Sequence, residues 1–436
     1  MISVTSLSLE GNVRQLLADK VSGNYVGLWL LLPEHLRLGD WDLLKAWSGT
    51  LQDTAINPRL ALQMVHESAL CANGIRQQRS LHQKGLELLN GLPFVASDRA
   101  IHELLNQHTM AEAHTLQIAL GKLRLANNHY CGEYVLIDPH RIQTWSQREM
   151  QPKKARPKAP PRKTVQTFFA IDGQSGQPFS FGMGSSSVTI NQATIPLIER
   201  LNEIVSHEAL ILADTEHFTS DILGFISMQP KFTMLMPMPR TKSILNQAMS
   251  MSYTPQWAGY AVAEGEYRLV NHQKSLRLIA QRTGEREDRY DYKPFITTSH
   301  LPASELMTLI FPLRWNIEEF FNIEAALGWN RAATLNLNIR FARITFALIA
   351  QALIYQFKQK LSAPIQNWNA TSIADKLFKG IDGDIRVRDH TIFVTFYNAP
   401  EYLKPYYEHL PQKLRKEGID PRIPWLYDYQ VDFRFK

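Results

Sequence analysis

The sequence predicts a mixed α/β protein, and three observations predict it. Helical apolar spacing runs through the first 130 residues and gives way at Tyr134. From there, β-branched and aromatic runs alternate with helical ones in the order strand, strand, strand, helix, strand, helix, strand. A long segment from Arg331 to Leu361 is apolar nearly all round, the pattern of a helix buried inside its own domain. Strands and helices in that order make a mixed sheet covered by helices.

Taken in order, "GDWDLLKAWSG" predicts a helix with Asp40 as N-cap and Gly49 as its stop. "PRLALQMVHESAL" and "SLHQKGLELLNG" repeat the helical spacing. "SDRAIHELLNQHTMAEAHTLQIALGKLRL" reads as two helices, the first capped by Ser97, the second by a box of Thr109 and Glu112. The pair fits either two packed helices or a helix-turn-helix that reads DNA.

"EYVLIDPHRIQTW" is then a strand carrying an acid, and "TVQTFFAIDGQSGQPFSFGMG" a hairpin with "DGQSG" as its turn. "NQATIPLIERLNEIV" is a helix with Asn191 as cap. "EALILADTE" is a buried strand ending on an acid, "TSDILGFISM" a helix and "KFTMLMPM" a further strand.

Inside this sheet lies Ser146–Thr164, with seven Lys or Arg, four Pro and one acid. Such a segment cannot bury a core. It is either a solvated linker or a basic arm laid along a polyanion, where each phosphate contacted releases counterions. Residues 240–300 read as a β-rich insertion around the charged turn "TGEREDRYD". The chain closes on one strand, "IRVRDHTIFVTF", and the aromatic tail "IPWLYDYQVDFRFK".

Composition narrows the function classes. The formal net charge is +6, which favours an anionic partner. The two cysteines, Cys71 and Cys131, form no CxxC pair, so neither a thiolate zinc site nor a disulfide framework is expected, and a reducing compartment is. The start has no basic residue followed by an apolar run, so no secretory leader is expected. The longest apolar run, Ile344–Tyr355, is too short to span a bilayer. A cytoplasmic protein is expected. No Gly-rich phosphate loop, Ser-His-Asp set or zinc spacing is present.

Three acids stand in sequence that predicts burial: Asp138 after "YVLI", Asp214 after "LILA", and Glu318 in "RWNIEEFF". Each has an ordinary explanation alone. A strand-end Asp caps the next helix, and Arg314 with Glu318 is an i, i+4 ion pair. Together, two on neighbouring strands and one on a later helix could converge at one edge of a sheet, where buried carboxylates need cations. Oxygen donors suit Mg²⁺, and two such ions assist phosphodiester chemistry. Asp172 also follows an apolar strand, but the "IDGQSGQP" turn accounts for it. Glu319 adjoins Glu318 but lies off the Arg-x3-Glu spacing. The histidines His140 and His217 are given no role, and Trp257, which could stack on an unpaired base, is expected to be buried in the insertion.

With these residues in view, the chain resembles the DDE transposases of bacterial insertion sequences. The likeness is carried by "YVLIDPHRI", by "FFAIDGQSGQPFSFGMGSSSVTINQATIPLIERL", by "ALILADTEHFTSDILGFI", by the β-rich stretch, and by "FPLRWNIEEFFNIEAALGWNR". The last resembles a signature of the form Tyr-x2-Arg-x3-Glu-x6-Lys. The resemblance spans roughly residues 130–360. It implies an RNase H-like mixed sheet core with a helical N-terminal region and a β-rich insertion. The implied order is a helical DNA-binding region 1–130, a first core part 131–239 with the basic linker 146–164, the insertion 240–300, a second core part 301–361, and a C-terminal region 362–436.

The resemblance further implies a DNA transposase that cleaves element ends and transfers strands with Mg²⁺, or Mn²⁺ in its place, acting as a homodimer on DNA and associated with the bacterial nucleoid when bound. Asp138, Asp214 and Glu318 would hold the metal. Arg314, Lys153, Lys154, Arg156, Lys158, Arg162, Lys163 and Arg331 would contact DNA. Two positions depart from the signature: Phe311 stands for its Tyr and Ala325 for its Lys. Those side chains handle phosphate at the element's end, so another base, Arg331 or Lys293, would replace them. A domesticated, non-catalytic DNA-binding protein and a nuclease without strand transfer are the alternatives.

Overall fold

The computed structural model describes residues 6–23, 25–49, 55–72, 84–145, 147, 149–153, 160–269, 275–329, 336–362 and 365–436. The chain forms two compact units, Met1–Asn127 with Ile323–Lys436, and Asn128–Asn322.

In chain order the first unit begins with α1 (Ser6–Ala18), β1 (Val21–Gly23), α2 (Leu32–Leu38), α3 (Asp40–Ser48), α4 (Asn57–Ala69), α5 (Lys84–Leu89), α6 (Asp98–Gln107) and α7 (Met110–Ala126). The second unit carries β2 (Tyr134–Gln143), β3 (Thr164–Asp172), β4 (Pro178–Ser185), α8 (Ile190–Ile204), β5 (Ala209–Ala213), α9 (Ser220–Ser227) and β6 (Phe232–Pro237). It continues with α10 (Lys242–Met249), β7 (Thr254–Trp257), β8 (Tyr260–Arg268), β9 (Ser275–Thr283), β10 (Asp291–Thr297) and α11 (Trp315–Ile323). The first unit resumes with α12 (Leu337–Lys358), β11 (Gly383–Arg388), β12 (Thr391–Phe396), β13 (Arg422–Ile423) and β14 (Tyr429–Phe435).

The first unit is built around α12. Its apolar residues cover all sides, so α4, α6 and α7 can pack on it together. Ile101, Leu104 and Leu105 of α6 and Ala113, Leu116 and Leu120 of α7 are buried, which agrees with the packed-pair reading of these helices. Ser97 caps α6, and Thr109 with Glu112 boxes α7 as expected. At α3 the expectation shifts by one residue: Gly39, in a left-handed conformation, is the N-cap and Asp40 the first helical residue. At 22 residues α12 is long and apolar enough to cross a membrane, unlike the shorter run read from the sequence, but 83% of that stretch is buried inside the protein.

A five-stranded sheet, in the order β1-β11-β12-β14-β13, belongs to the same unit. Here the single strand expected over "IRVRDHTIFVTF" is corrected to a hairpin. Asp389 and His390 take φ of 47° and 55° and turn the chain between β11 and β12.

The second unit is one nine-stranded sheet, β4-β3-β2-β5-β6-β10-β9-β8-β7. β2 pairs antiparallel with β3 and parallel with β5, and β5 parallel with β6. Three antiparallel strands followed by two parallel ones, with α8 and α9 as the crossovers, is the RNase H-like arrangement. The β-rich stretch joins this sheet directly, because β10 pairs antiparallel with β6 through Phe295↔Pro237. The cap of α8 is Thr189, boxed with Gln192, and not Asn191. Asn191 instead ties α8 to the start of α9, accepting from the Thr219 hydroxyl at 2.7 Å and donating to Asp221 at 2.5 Å.

Candidate active site

The site lies within the second unit. The β2–β5 ladder pairs Ile137 with Ala213. One residue further along each strand come Asp138 and Asp214. Parallel neighbours at one level point to the same face, so register alone sets these two carboxylates side by side. Asp214 follows β5 in an extended conformation and caps the turn Thr215–His217, its Oδ1 accepting the Glu216 backbone N–H at 3.0 Å. The same Oδ1 lies 2.8 Å from Nδ1 of His217, which is fully buried.

Glu318 comes from α11. A helical run from Ala303 passes through a π turn at Leu306–Ile310 and a 3₁₀ turn at Phe311–Arg314 before α11 begins. Single π turns inside helices recur at functional sites. Ile317, Phe320 and Phe321 bury one side of α11. The Phe320 and Phe321 rings meet Phe169 of β3 at 5.4 and 5.7 Å, and His140 stacks on Phe321 at 4.5 Å. Asn316 donates to the Gly173 carbonyl at 2.9 Å. This packing explains why an acid stands among Trp, Ile and Phe. The apolar positions anchor the helix and leave Arg314 and Glu318, one turn apart, on a flank. Arg314 Nη2 donates to Glu318 Oε1 at 2.9 Å, and its guanidinium lies 5.0 Å over the exposed Trp315 ring. Glu319 is exposed.

Electrostatics tie the three acids together. Burial pushes the Asp138 carboxyl up to about 8, and the charges of Asp214, Glu318 and Glu216 push the same way against Arg314. Burial also works against charge on Asp214. There the bonds from His217 and the Glu216 N–H, with Arg314, outweigh it and hold the carboxyl below its ordinary value. Glu216 is itself clamped by Arg141, through Nη1 at 2.9 Å and through Nη2.

Among the described residues no three His, Cys, Asp or Glu side chains are grouped so as to hold a metal ion, and Glu318 is paired with Arg314. The donor set nonetheless fits a hard divalent cation. It is all oxygen, and a cation would offset both the burial and the like charge that raise Asp138.

Asp172 is fully buried and occupied elsewhere, accepting the backbone N–H of Gly132 and of Ser175, each at 2.7 Å. Of the expected DNA-contacting residues, Lys153 and Arg162 face each other across a bridge of two 2.9 Å backbone hydrogen bonds, and Thr144 donates to the Lys163 carbonyl at 2.9 Å. Lys154, Arg156, Lys158 and Arg331 lie outside the described residues. The basic segment is therefore rooted as a continuation of the β2–β3 pair, with Trp145, 82% exposed, at its base. Sequence reasoning missed Arg141, Glu216 and the orienting contact of His217. The "DTEH" spacing, with two groups within three residues of Asp214, was the available signal.

Residues 129–353, more than half of the chain, match the family model described as the transposase DDE domain. The chain belongs to the DDE transposase domain family. No curated protein matches it. Among solved structures, it is similar to the piggyBac transposase in a cryo-EM synaptic complex with hairpin DNA. The identity is 10% and the TM-score 0.45, over 83% of this chain and 82% of that one.

Proposed function

We propose that this protein is a DNA transposase that cuts the ends of an insertion sequence and joins them to target DNA, with Asp138, Asp214 and Glu318 holding Mg²⁺. The observation that carries this reading is that Asp138 and Asp214 each follow the paired residues Ile137 and Ala213, with Asp214 and Glu318 near enough for their charges to act on Asp138. When bound, divalent ions supply Lewis acidity and neutralise charge on a reacting phosphodiester. His217 and the Glu216 N–H fix the orientation of Asp214. Arg314 steadies Glu318 and offers its remaining N–H groups to a phosphate. The basic segment with Lys153, Arg162 and Lys163 contacts the backbone of the duplex, as do Lys154, Arg156, Lys158 and Arg331.

Hydrolysis at the element's end leaves a 3′-hydroxyl, which then attacks a target phosphodiester in the same site. Two protomers act together, because two ends must be joined. The test uses duplexes copied from the DNA that flanks the coding region, with Mg²⁺ or Mn²⁺. Asp138→Ala, Asp214→Ala and Glu318→Ala should each lower nicking by at least ~10²-fold, as when a group acting on a transition state is removed, while binding persists. Undiminished nicking by Asp138→Ala would overturn the assignment. Nicking without joining of a pre-cut end would make the protein a nuclease.

A further inference from the structure

Beside the carboxylates the second unit has a cavity of about 360 Å³, whose lining includes Asp214, Arg240, Lys293, Phe311, Arg314 and Trp315. Three of its lining residues are basic and one is acidic, yet two of the three cations are already engaged. Arg240 pairs with Asp291, and Arg314 with Glu318 at 2.9 Å. Lys293 has no ion-pair partner among the described residues and is exposed. It stands on β10 between Asp291 and Phe295, all three on one face of the strand by the period of two. Phe295 is buried and meets the Phe311 ring edge-on at 4.8 Å. That wall is thus apolar and fixed, and the ammonium group is the uncommitted charge on it.

We infer that Lys293 is a phosphate-binding residue, holding through the cavity beside Asp214 and Arg314 a DNA backbone phosphate that flanks the reacting one. The inference rests on the transposase reading and, of the two bases the resemblance left open, Arg331 and Lys293, assigns the contact to Lys293, which lines the cavity. β10 reaches the site because it pairs with β6 in the core sheet. A strand delivered by nine-stranded pairing holds its side chain more rigidly than a loop would. A flexible ammonium with three donors suits a phosphate approached from one side.

The test is a binding cycle on the full chain in Ca²⁺, read by fluorescence anisotropy. The probes are labelled duplexes of the flanking DNA, each carrying a neutral methylphosphonate at one position. Lys293→Ala should weaken binding of the unmodified duplex by ~10-fold and lower the slope of affinity against salt by about 1, as for one lost phosphate contact. Lys293→Arg should restore both. One methylphosphonate position should weaken the wild type and leave Lys293→Ala unaffected. Melting should not change, because the side chain is exposed. Equal affinity and slope for Lys293→Ala, or equal penalties at every position, would overturn the inference even if the wild type nicks DNA. If the cycle behaves as expected and no metal supports nicking, the transposase reading falls and the phosphate site stands.

Discussion

Asp138 and Asp172 occupy the same kind of sequence, an acid after an apolar run, and the structure gives them opposite surroundings. Asp172 spends both oxygens on backbone N–H groups of Gly132 and Ser175. Asp138 lies among like charges. The difference was legible because the "DGQSG" turn already accounts for Asp172. It follows that Asp172→Ala should destabilise the second unit by about 1–3 kcal/mol, the cost of orphaning buried donors. Nicking measured below the melting temperature should be retained. Urea unfolding together with a nicking assay checks both. Loss of nicking with stability unchanged would move the acid into the chemistry. What the sequence could not reveal at this scale is that Arg141 clamps Glu216, since the two lie 75 residues apart and meet only through strand pairing.

Among elements, the strands of the core were the most readable, because β-branched and aromatic runs bounded by turns leave few other states. Errors fell where a turn lacked its usual residues. "RDH" carries neither Gly nor Asn, so β11 and β12 read as one strand, yet Asp389 and His390 both take the left-handed conformation that a two-residue hairpin requires. That conformation costs L-residues about 1 kcal/mol or more each. Replacing the pair by the preferred residues, Asp389→Asn with His390→Gly, should therefore stabilise the first unit by ~1 kcal/mol, seen as a higher urea midpoint with an unchanged slope. A lower midpoint would mean that the two native side chains do more than turn the chain. The same lesson applies to the β-rich stretch. Its strands were visible, but their attachment to β6 depends on register, which no local pattern encodes.

Across the molecule, the two units handle buried charge differently. The second buries Asp138 near the charges of Asp214, Glu318 and Glu216, which with burial raise its carboxyl. The first buries a hydrogen-bonded chain drawn from α2, α3, α4 and the turn after α5, which no local pattern could announce. Asp40 accepts from Nδ1 of His35 at 2.9 Å, the two Nε2 atoms of His35 and His66 lie 2.9 Å apart, and Nδ1 of His66 donates to Asn90 Oδ1 at 2.6 Å. The Asn90 amide is oriented by its own bond to the Leu86 carbonyl, so its oxygen faces His66. With its Nδ1 donating to Asn90, His66 turns its Nε2 to the His35 ring, and a second proton there would put a buried charge against that ring. Burial, then the neighbouring His35, accordingly hold His66 well below the ordinary histidine value of 6.5. The sign follows from linkage. A folded-state pKa lowered below the unfolded one means that the unfolded chain binds the proton first, so stability is lost as pH falls through 6.5. Below that point the first unit should lose up to about 1.4 kcal/mol per pH unit. Urea unfolding between pH 7.5 and 5.0 should show the loss, and His66→Gln, which cannot take up the proton, should flatten it. A midpoint that holds steady through this range would mean that His66 takes up its proton in the folded state as readily as in the unfolded one.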